Sequence, residues 1–115
     1  MTSIICALDL PDNNRDGYCY WRLFKNGDVG PFDCLRIMVK GRHPCRRVIE
    51  GIRNYYVIDG AGTFTVDGES RVVGRDTLIT IVPGQVYSYE ASKYGLQLLE
   101  FNIDIGDGIA HEDVE

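Results

Sequence analysis

The chain of 115 residues contains only two histidines, His43 and His111, and a single tryptophan. Its four cysteines, Cys6, Cys19, Cys34 and Cys45, form no C-x-x-C pair, so no zinc-ligand spacing is present. No apolar run approaches the ~18 residues of a membrane span, so no membrane partner is expected. There is no excess of basic residues. The net charge is −5, and an acidic surface repels phosphate backbones, which argues against nucleic acid as a partner. The N-terminus lacks a basic leader, and its apolar run is broken by Asp9, unlike a secretory signal. The expected location is therefore cytoplasmic, a reducing compartment in which the thiols stay free and act as small buried hydrophobes. No repeat and no helical periodicity are found. The nearest hint of a helix, Pro11–Asp16, reads better as a loop.

Short runs rich in Val, Ile, Thr, Tyr and Phe, separated by Gly, Pro, Asn and Asp, are strand signals. They cover Ser3–Leu8, Tyr18–Phe24, Cys34–Val39, Cys45–Ile49, Asn54–Ile58, Thr63–Val66, Glu69–Val73, Thr77–Val82, Val86–Glu90 and Leu96–Ile103. So many short strands in a chain of one-domain length predict an all-β sandwich or barrel. Two turns stand out. Asp59-Gly60-Ala61-Gly62 is expected to link Tyr55–Ile58 to Thr63–Val66, and Asp67-Gly68 to link that strand to the next. Asp-Gly between strands is a strong hairpin signal because both residues tolerate positive φ. The barrel domain is expected over residues 1–105. The acidic stretch 106–115 reads as a frayed C-terminal tail with no structural duty.

The segment Tyr55-Tyr56-Val57-Ile58-Asp59-Gly60-Ala61-Gly62-Thr63-Phe64-Thr65-Val66-Asp67-Gly68-Glu69 resembles the first conserved hairpin of the cupin superfamily. Asp76–Tyr89, with Pro83-Gly84 at its centre, is similar to the strand, Pro-Gly turn and strand of the second motif. The resemblance covers under half of the chain directly. It implies a cupin-type jelly roll, or double-stranded β-helix barrel. It does not choose among the dioxygenases, isomerases, epimerases, sugar-binding regulatory domains and storage proteins that share this fold.

Metal-binding cupins carry two histidines and a glutamate in the first motif and a last histidine in the second. Here the glutamate position falls on Arg53 and the last histidine on Tyr87. The histidine pair falls on Arg46 and Val48, or on Arg47 and Ile49 in the shorter spacing. His43, just before Pro44, reads as a surface or turn histidine at a strand entry, and His111 lies in the tail, far from both motifs. Imidazole and carboxylate ligands converging on one point are therefore missing, and an arginine at the glutamate position would repel a dication. Neither a metal nor another cofactor is expected.

Inward and outward positions alternate along barrel strands. One of Arg46 and Arg47 should face in, and Arg47 is the one assigned. The expected pocket is then lined by Arg47, Arg53, Tyr55, Tyr87 and Tyr89. Guanidinium forks match carboxylates and phosphates, and tyrosine rings give apolar walls with a polar tip. Such a set suits a small polar or anionic ligand, a carboxylate or a sugar. The alternative is structural: the arginines pair at a rim with Glu50 or Glu69, and the tyrosines only fill the barrel. For catalysis, Tyr87 is the candidate acid and Glu100 the candidate carboxylate, though Glu on a strand is usually exposed.

The leading expectation is a metal-free small-molecule binder, with the balance against an enzyme. Two alternatives stand beside it: a metal-independent isomerase, epimerase or cyclase, and a non-catalytic dimeric interaction protein. The hairpin also resembles the ligand-binding half of sugar-responsive transcription regulators, but no helix-turn-helix pattern accompanies it. Ser3–Leu8 is apolar on both faces, through Ile4, Ile5, Ala7 and Leu8. An open edge strand of that kind aggregates unless covered, which predicts a homodimer paired through it.

Overall fold

A computed structural model describes residues 4–5, 10–106, 108 and 110–114. Among them are nine strands: β1 (Asn13–Arg15), β2 (Tyr18–Phe24), β3 (Phe32–Val39), β4 (Arg42–Val48), β5 (Ile52–Val66), β6 (Glu69–Gly74), β7 (Leu78–Ile81), β8 (Val86–Ile103) and β9 (His111–Asp113). The described residues contain no helix, and thus none long and apolar enough to cross a membrane. The fold is all-β, a single sheet curled on itself.

Two long strands organise it. β5 and β8 pair antiparallel from Ile52↔Ile103 to Val66↔Tyr87. The free edge of β8 is shared: its C-terminal half pairs with β3 and its N-terminal half with β4. The free edge of β5 is shared in the same way, by β7 and β6. Each long strand therefore passes from one half of the barrel to the other and must bend in its middle. The bend falls at register shifts between Val57 and Asp59 and between Gly60 and Gly62. Asp59-Gly60-Ala61-Gly62, expected to link two strands, is thus a corner inside one continuous strand. The two strands expected over Val86–Glu90 and Leu96–Ile103 are likewise the two arms of β8. Bulges and glycines of this kind let a strand turn a barrel corner without leaving the sheet. At the β5–β6 hairpin, Asp67 (φ 50°) and Gly68 (φ 81°) both have positive φ, the backbone of a two-residue type I′ turn.

The core follows from alternation. Ile37, Leu98 and Val57 lie side by side across β3, β8 and β5, and all three are buried. Leu35, Val39, Val48, Tyr55, Phe64, Ile81, Tyr87, Tyr89 and Leu96 complete one continuous cluster. Fully burying a side chain such as Leu98 or Val57 stabilises the fold by about 1.5–3 kcal/mol.

Both chain ends differ from expectation. Of the strand expected over Ser3–Leu8, only Ile4 and Ile5 are described; both are exposed and neither is in a strand, and the other positions lie outside the described residues. The C-terminal segment is not wholly frayed. His111–Asp113 forms β9 against β4, with Arg46↔Asp113, Arg47↔Glu112 and Val48↔His111 opposed. Opposite charges face each other in that register, and β9 covers an edge that β8 leaves open. Cys19, Cys34 and Cys45 are free thiols, half-buried rather than fully buried; Cys6 lies outside the described residues.

Candidate functional site

The barrel encloses a cavity of about 250 Å³. Its walls come from β2 and β3 (Tyr18, Tyr20, Arg22, Asp33, Leu35), β4 (His43, Arg46), β5 and β8 (Arg53, Tyr89, Glu100, Asn102) and the C-terminal segment (Ala110, His111). A larger groove of about 340 Å³ runs past Lys40, Asp59, Lys93 and Tyr94. Those side chains are exposed, so that groove lacks the desolvated polar groups that fix a ligand.

Each inward group can be traced to its strand. On β3 the apolar alternation Leu35, Ile37, Val39 puts Asp33 on the same face. On β8 the alternation Leu96, Leu98 carries on to Glu100 and Asn102, which are buried. On β4 the alternation is broken. His43 is opposite Tyr89 and Arg46 is opposite Tyr87, with a register shift between them. Three steps on β4 match two on β8, so both His43 and Arg46 face in. Pro44 sits inside that step, and a residue with no N–H belongs at a bulge.

Three corrections follow. Arg46, not Arg47, is the inward arginine, because Arg46 shares a face with Tyr87; Arg47 lies outside and pairs with Glu112 at 2.6 Å. His43 is no surface histidine: it is 3% exposed, its ring stacked on Tyr89 at 4.3 Å. His111, expected far from both motifs, is carried by β9 to within 3.2 Å of Arg53. Arg53, Tyr55, Tyr87, Tyr89 and Glu100 are brought together inside the barrel. Of these, Arg53, Tyr89 and Glu100 line the cavity, while Tyr55 and Tyr87 stand behind Arg53, both fully buried.

Arg53 is the hub. Its Nε donates to Asn102 Oδ1 (3.1 Å), Nη1 to Tyr87 Oη (2.5 Å) and Nη2 to His111 Nδ1 (3.2 Å). Tyr55 Oη also donates to Tyr87 Oη at 3.1 Å. Asn102 Nδ2 donates to Asp33 Oδ1 (2.5 Å) and Glu100 Oε2 (3.1 Å), linking both carboxylates to the hub. Burial by itself would lower the Arg53 pKa, but Tyr55, Glu100 and Tyr87 outweigh it and raise the pKa. The guanidinium therefore stays charged in the interior. Burial raises the Asp33 pKa, Glu100 adds to the rise, and the Asn102 hydrogen bond opposes it.

The imidazoles behave oppositely. Burial, then the Arg46 charge, pushes His43 down to about 3, against an opposing contact with the Pro44 backbone. Burial and the charges of Arg53 and Arg46 push His111 down to about 4. An arginine only donates, so His43 Nε2 accepts from Arg46 Nη1 at 3.3 Å and His111 Nδ1 accepts from Arg53. His43 Nδ1 and the Tyr89 hydroxyl are buried without a hydrogen-bond partner in the described structure.

A pH dependence follows. Both histidines have folded pKa values below the unfolded value of 6.5, so below about pH 6.5 the unfolded chain binds more protons than the folded one. Stability is then lost as pH falls through that window, at up to about 1.4 kcal/mol per pH unit for the buried His43. The raised pKa of Asp33 acts in the opposite sense. The imidazole Cε1–H resonances of both histidines should stay unmoved from pH 8 to about 5.5; a titration centred near 6.5 would contradict this environment.

Among the described residues no group of three His, Cys, Asp or Glu side chains is placed to hold a metal ion, and Arg46 and Arg53 bring guanidinium groups, which repel a dication, into the cavity. What the cavity offers is hydrogen bonding, charge and proton exchange.

Residues 55–112 match the family described as AraC-like ligand binding domain. No curated protein matches the chain. Among solved structures, the Streptomyces nucleoside dehydratase Pac13 is 22% identical with a TM-score of 0.76, over 90% of this chain and 82% of its own. The cupin domain of Schizosaccharomyces pombe Cnp3 is 18% identical with a TM-score of 0.71, over 83% of this chain and 77% of its own. Salicylate 1,2-dioxygenase from Pseudoaminobacter salicylatoxidans is 21% identical with a TM-score of 0.69; the match takes in 80% of this chain but only 26% of the dioxygenase. These likenesses establish a cupin-type fold.

Proposed function

Because the chain belongs to the AraC-like ligand-binding family of cupin-type domains, we propose that it binds a small polar ligand, anionic or sugar-like, inside the barrel and without a metal ion. One observation carries the reading: a cavity of about 250 Å³ in which Arg22, Arg46 and Arg53 converge, within a chain of net charge −5. Asp33 and Glu100 share the lining, but the three guanidinium groups outnumber these two carboxylates, and a local excess of positive charge attracts an anion against the field of an acidic surface. The volume lies below the ~300 Å³ of the smallest drug-sized pockets and suits a ligand of roughly monosaccharide size. The test is a thermal-shift and calorimetric screen of sugars, sugar acids and sugar phosphates, with and without EDTA. The expected result is saturable stabilisation that EDTA leaves intact and that Leu35→Phe, which fills the cavity, removes. Silence of all three classes at millimolar concentration, or binding that EDTA abolishes, would overturn the proposal.

A second reading, a metal-independent isomerase, epimerase or cyclase, is favoured by one specific feature. A neutral imidazole, His43, lines the same cavity as the Asp33 and Glu100 carboxyl groups, and acid–base catalysis needs proton donors and acceptors within reach of one bound substrate. A nucleoside dehydratase has the same fold. Under this reading a ligand found in the screen is consumed, and Glu100→Gln, which changes a carboxylate of the cavity wall, stops its turnover; Tyr87, the candidate acid, stands behind Arg53 and would act only through it.

The dimer also remains a proposal. Ile4 and Ile5 are 87% and 47% exposed, and we assign the N-terminal segment as the contact with a second copy. Sedimentation should show a dimer at micromolar concentration that Ile4→Asp dissociates; a monomer throughout would refute it.

A further inference from the structure

Arg46 and Arg53 both reach the cavity but differ in what they have left to give. Arg53 uses all three of its nitrogens on Asn102, Tyr87 and His111, and Glu100 balances its charge. Arg46 donates once from Nε to Asp113 Oδ1 at 3.0 Å and lies 3.3 Å from His43 Nε2 through Nη1. Its Nη2 has no hydrogen-bond partner among the described residues. A guanidinium presents five N–H donors in a fork that a carboxylate fills in bidentate fashion, and this fork is only partly filled.

The occupant of the fork is itself a carboxylate, and a loosely held one. The Asp113 side chain is 75% exposed, against 20% for Arg46. Water reaches the Asp113 side of the pair and screens it, so a competing anion can take its place on Arg46. β9 has other anchors: its backbone pairs with β4, Glu112 meets Arg47 at 2.6 Å on the outer face, and His111 meets Arg53. Asp113 can therefore swing into solvent while the strand stays in place.

We infer that Arg46 is the anion subsite of the cavity, that Asp113 occupies it as an internal carboxylate, and that a ligand carboxylate binds by displacing Asp113 from the guanidinium. The inference rests on the ligand-binding reading above and names the group that reading leaves open. It makes Arg53 a positioning residue that holds the wall, and it makes the C-terminal strand an autoinhibitory contact. The ligand anion replaces an acidic side chain whose charge stays nearby, so Asp113 weakens binding at all times.

The test titrates the ¹⁵N-labelled full chain with acetate, inorganic phosphate and glucose at constant ionic strength, following the arginine Nε–Hε resonances and the Asp113 amide. Acetate should shift Arg46 Nε–Hε and Asp113 together and saturably. Asp113→Asn, at an exposed position, should tighten acetate by about fivefold, the size of effect expected from removing one nearby like charge in water. Arg46→Gln should abolish the response. Asp59→Asn, which makes the same charge change at an exposed pair with Arg75, should leave affinity unchanged. Equal affinity in Asp113→Asn and the parent, or a response at Arg53 with Arg46 unmoved, overturns the inference. Saturation by phosphate but not by acetate overturns the carboxylate assignment. Glucose or another neutral sugar entering the cavity without disturbing Arg46 overturns the inference and leaves the ligand-binding reading standing. Silence towards every probe, including the sugar screen, overturns both.

Discussion

Arg53→Met is expected to lower the free energy of unfolding by about 3–5 kcal/mol, the range seen when one partner of a buried charged network is removed. Arg53 is 5% exposed and Glu100 7%, so the remaining carboxylate is left largely desolvated. The substitution also leaves Asn102 Oδ1 and His111 Nδ1 without the side-chain donor each now meets, and leaves Tyr87 Oη with Tyr55 alone. A domain of this size has only about 5–15 kcal/mol of total stability, so the variant should sit close to its unfolding threshold at room temperature. The check is the midpoint of guanidinium-induced unfolding, followed by near-ultraviolet circular dichroism for the buried tyrosines. Adding Glu100→Gln to Arg53→Met should recover part of the loss, because the unpaired charge disappears; a double-mutant cycle isolates that coupling. A loss below about 1 kcal/mol would mean that water reaches this network, contrary to its burial.

The fold was legible in its strand runs and turns, with Asp-Gly and Pro-Gly at the spacing of the cupin motifs. The alternation of Leu35, Ile37 and Val39 on β3 and of Leu96 and Leu98 on β8 leads on to Asp33, Glu100 and Asn102, but Asp33 and Asn102 were not expected in the site, and Glu100 was weighed against the usual exposure of a strand glutamate. Three features were harder to read, each for a physical reason. Arg46 and His43 face in together only because β4 bulges between them, and a bulge shifts the parity on which alternation depends. Pro44 was the available signal, since a proline within a strand argues for a bulge or an edge. His111 was read as part of a frayed end because it follows a Gly-containing acidic stretch. Its place in the site depends on the pairing of Glu112 and Asp113 with two arginines distant in sequence, a contact no local pattern encodes. The corner at Asp59–Gly62 was read as a turn because Asp-Gly serves both purposes. What separates a turn from a corner is whether the chain reverses, which is decided by the partner strand.

That corner carries the other large expected effect. A Cβ at Gly60 would lie 2.3 Å from the Gly95 carbonyl oxygen, and the residue also has φ +80°. A Cβ at Gly62 would lie 2.3 Å from the Glu90 carbonyl oxygen, without a positive φ. Gly68, in the β5–β6 turn, has φ +81° and nothing within 4 Å of its would-be Cβ. The three glycines therefore separate backbone strain from close approach. Gly68→Ala should cost about 1–2 kcal/mol, the left-handed penalty alone. Gly62→Ala should cost about 1–3 kcal/mol from forcing two backbones apart. Gly60→Ala bears both and should cost about 3 kcal/mol or more, enough to reduce the yield of folded protein. The consequence reaches the site, because this corner lets one strand carry Arg53 and Tyr55 in one half of the barrel and Phe64 in the other. If β5 and β8 separate here, the wall behind Arg53 shifts, and ligand affinity should fall in the Gly60 variant but not in the Gly68 variant. Unfolding midpoints of the three alanine variants test the order. Equal losses at Gly60 and Gly68 would mean that the close approach is relieved without cost and that the two long strands meet less tightly than their register implies.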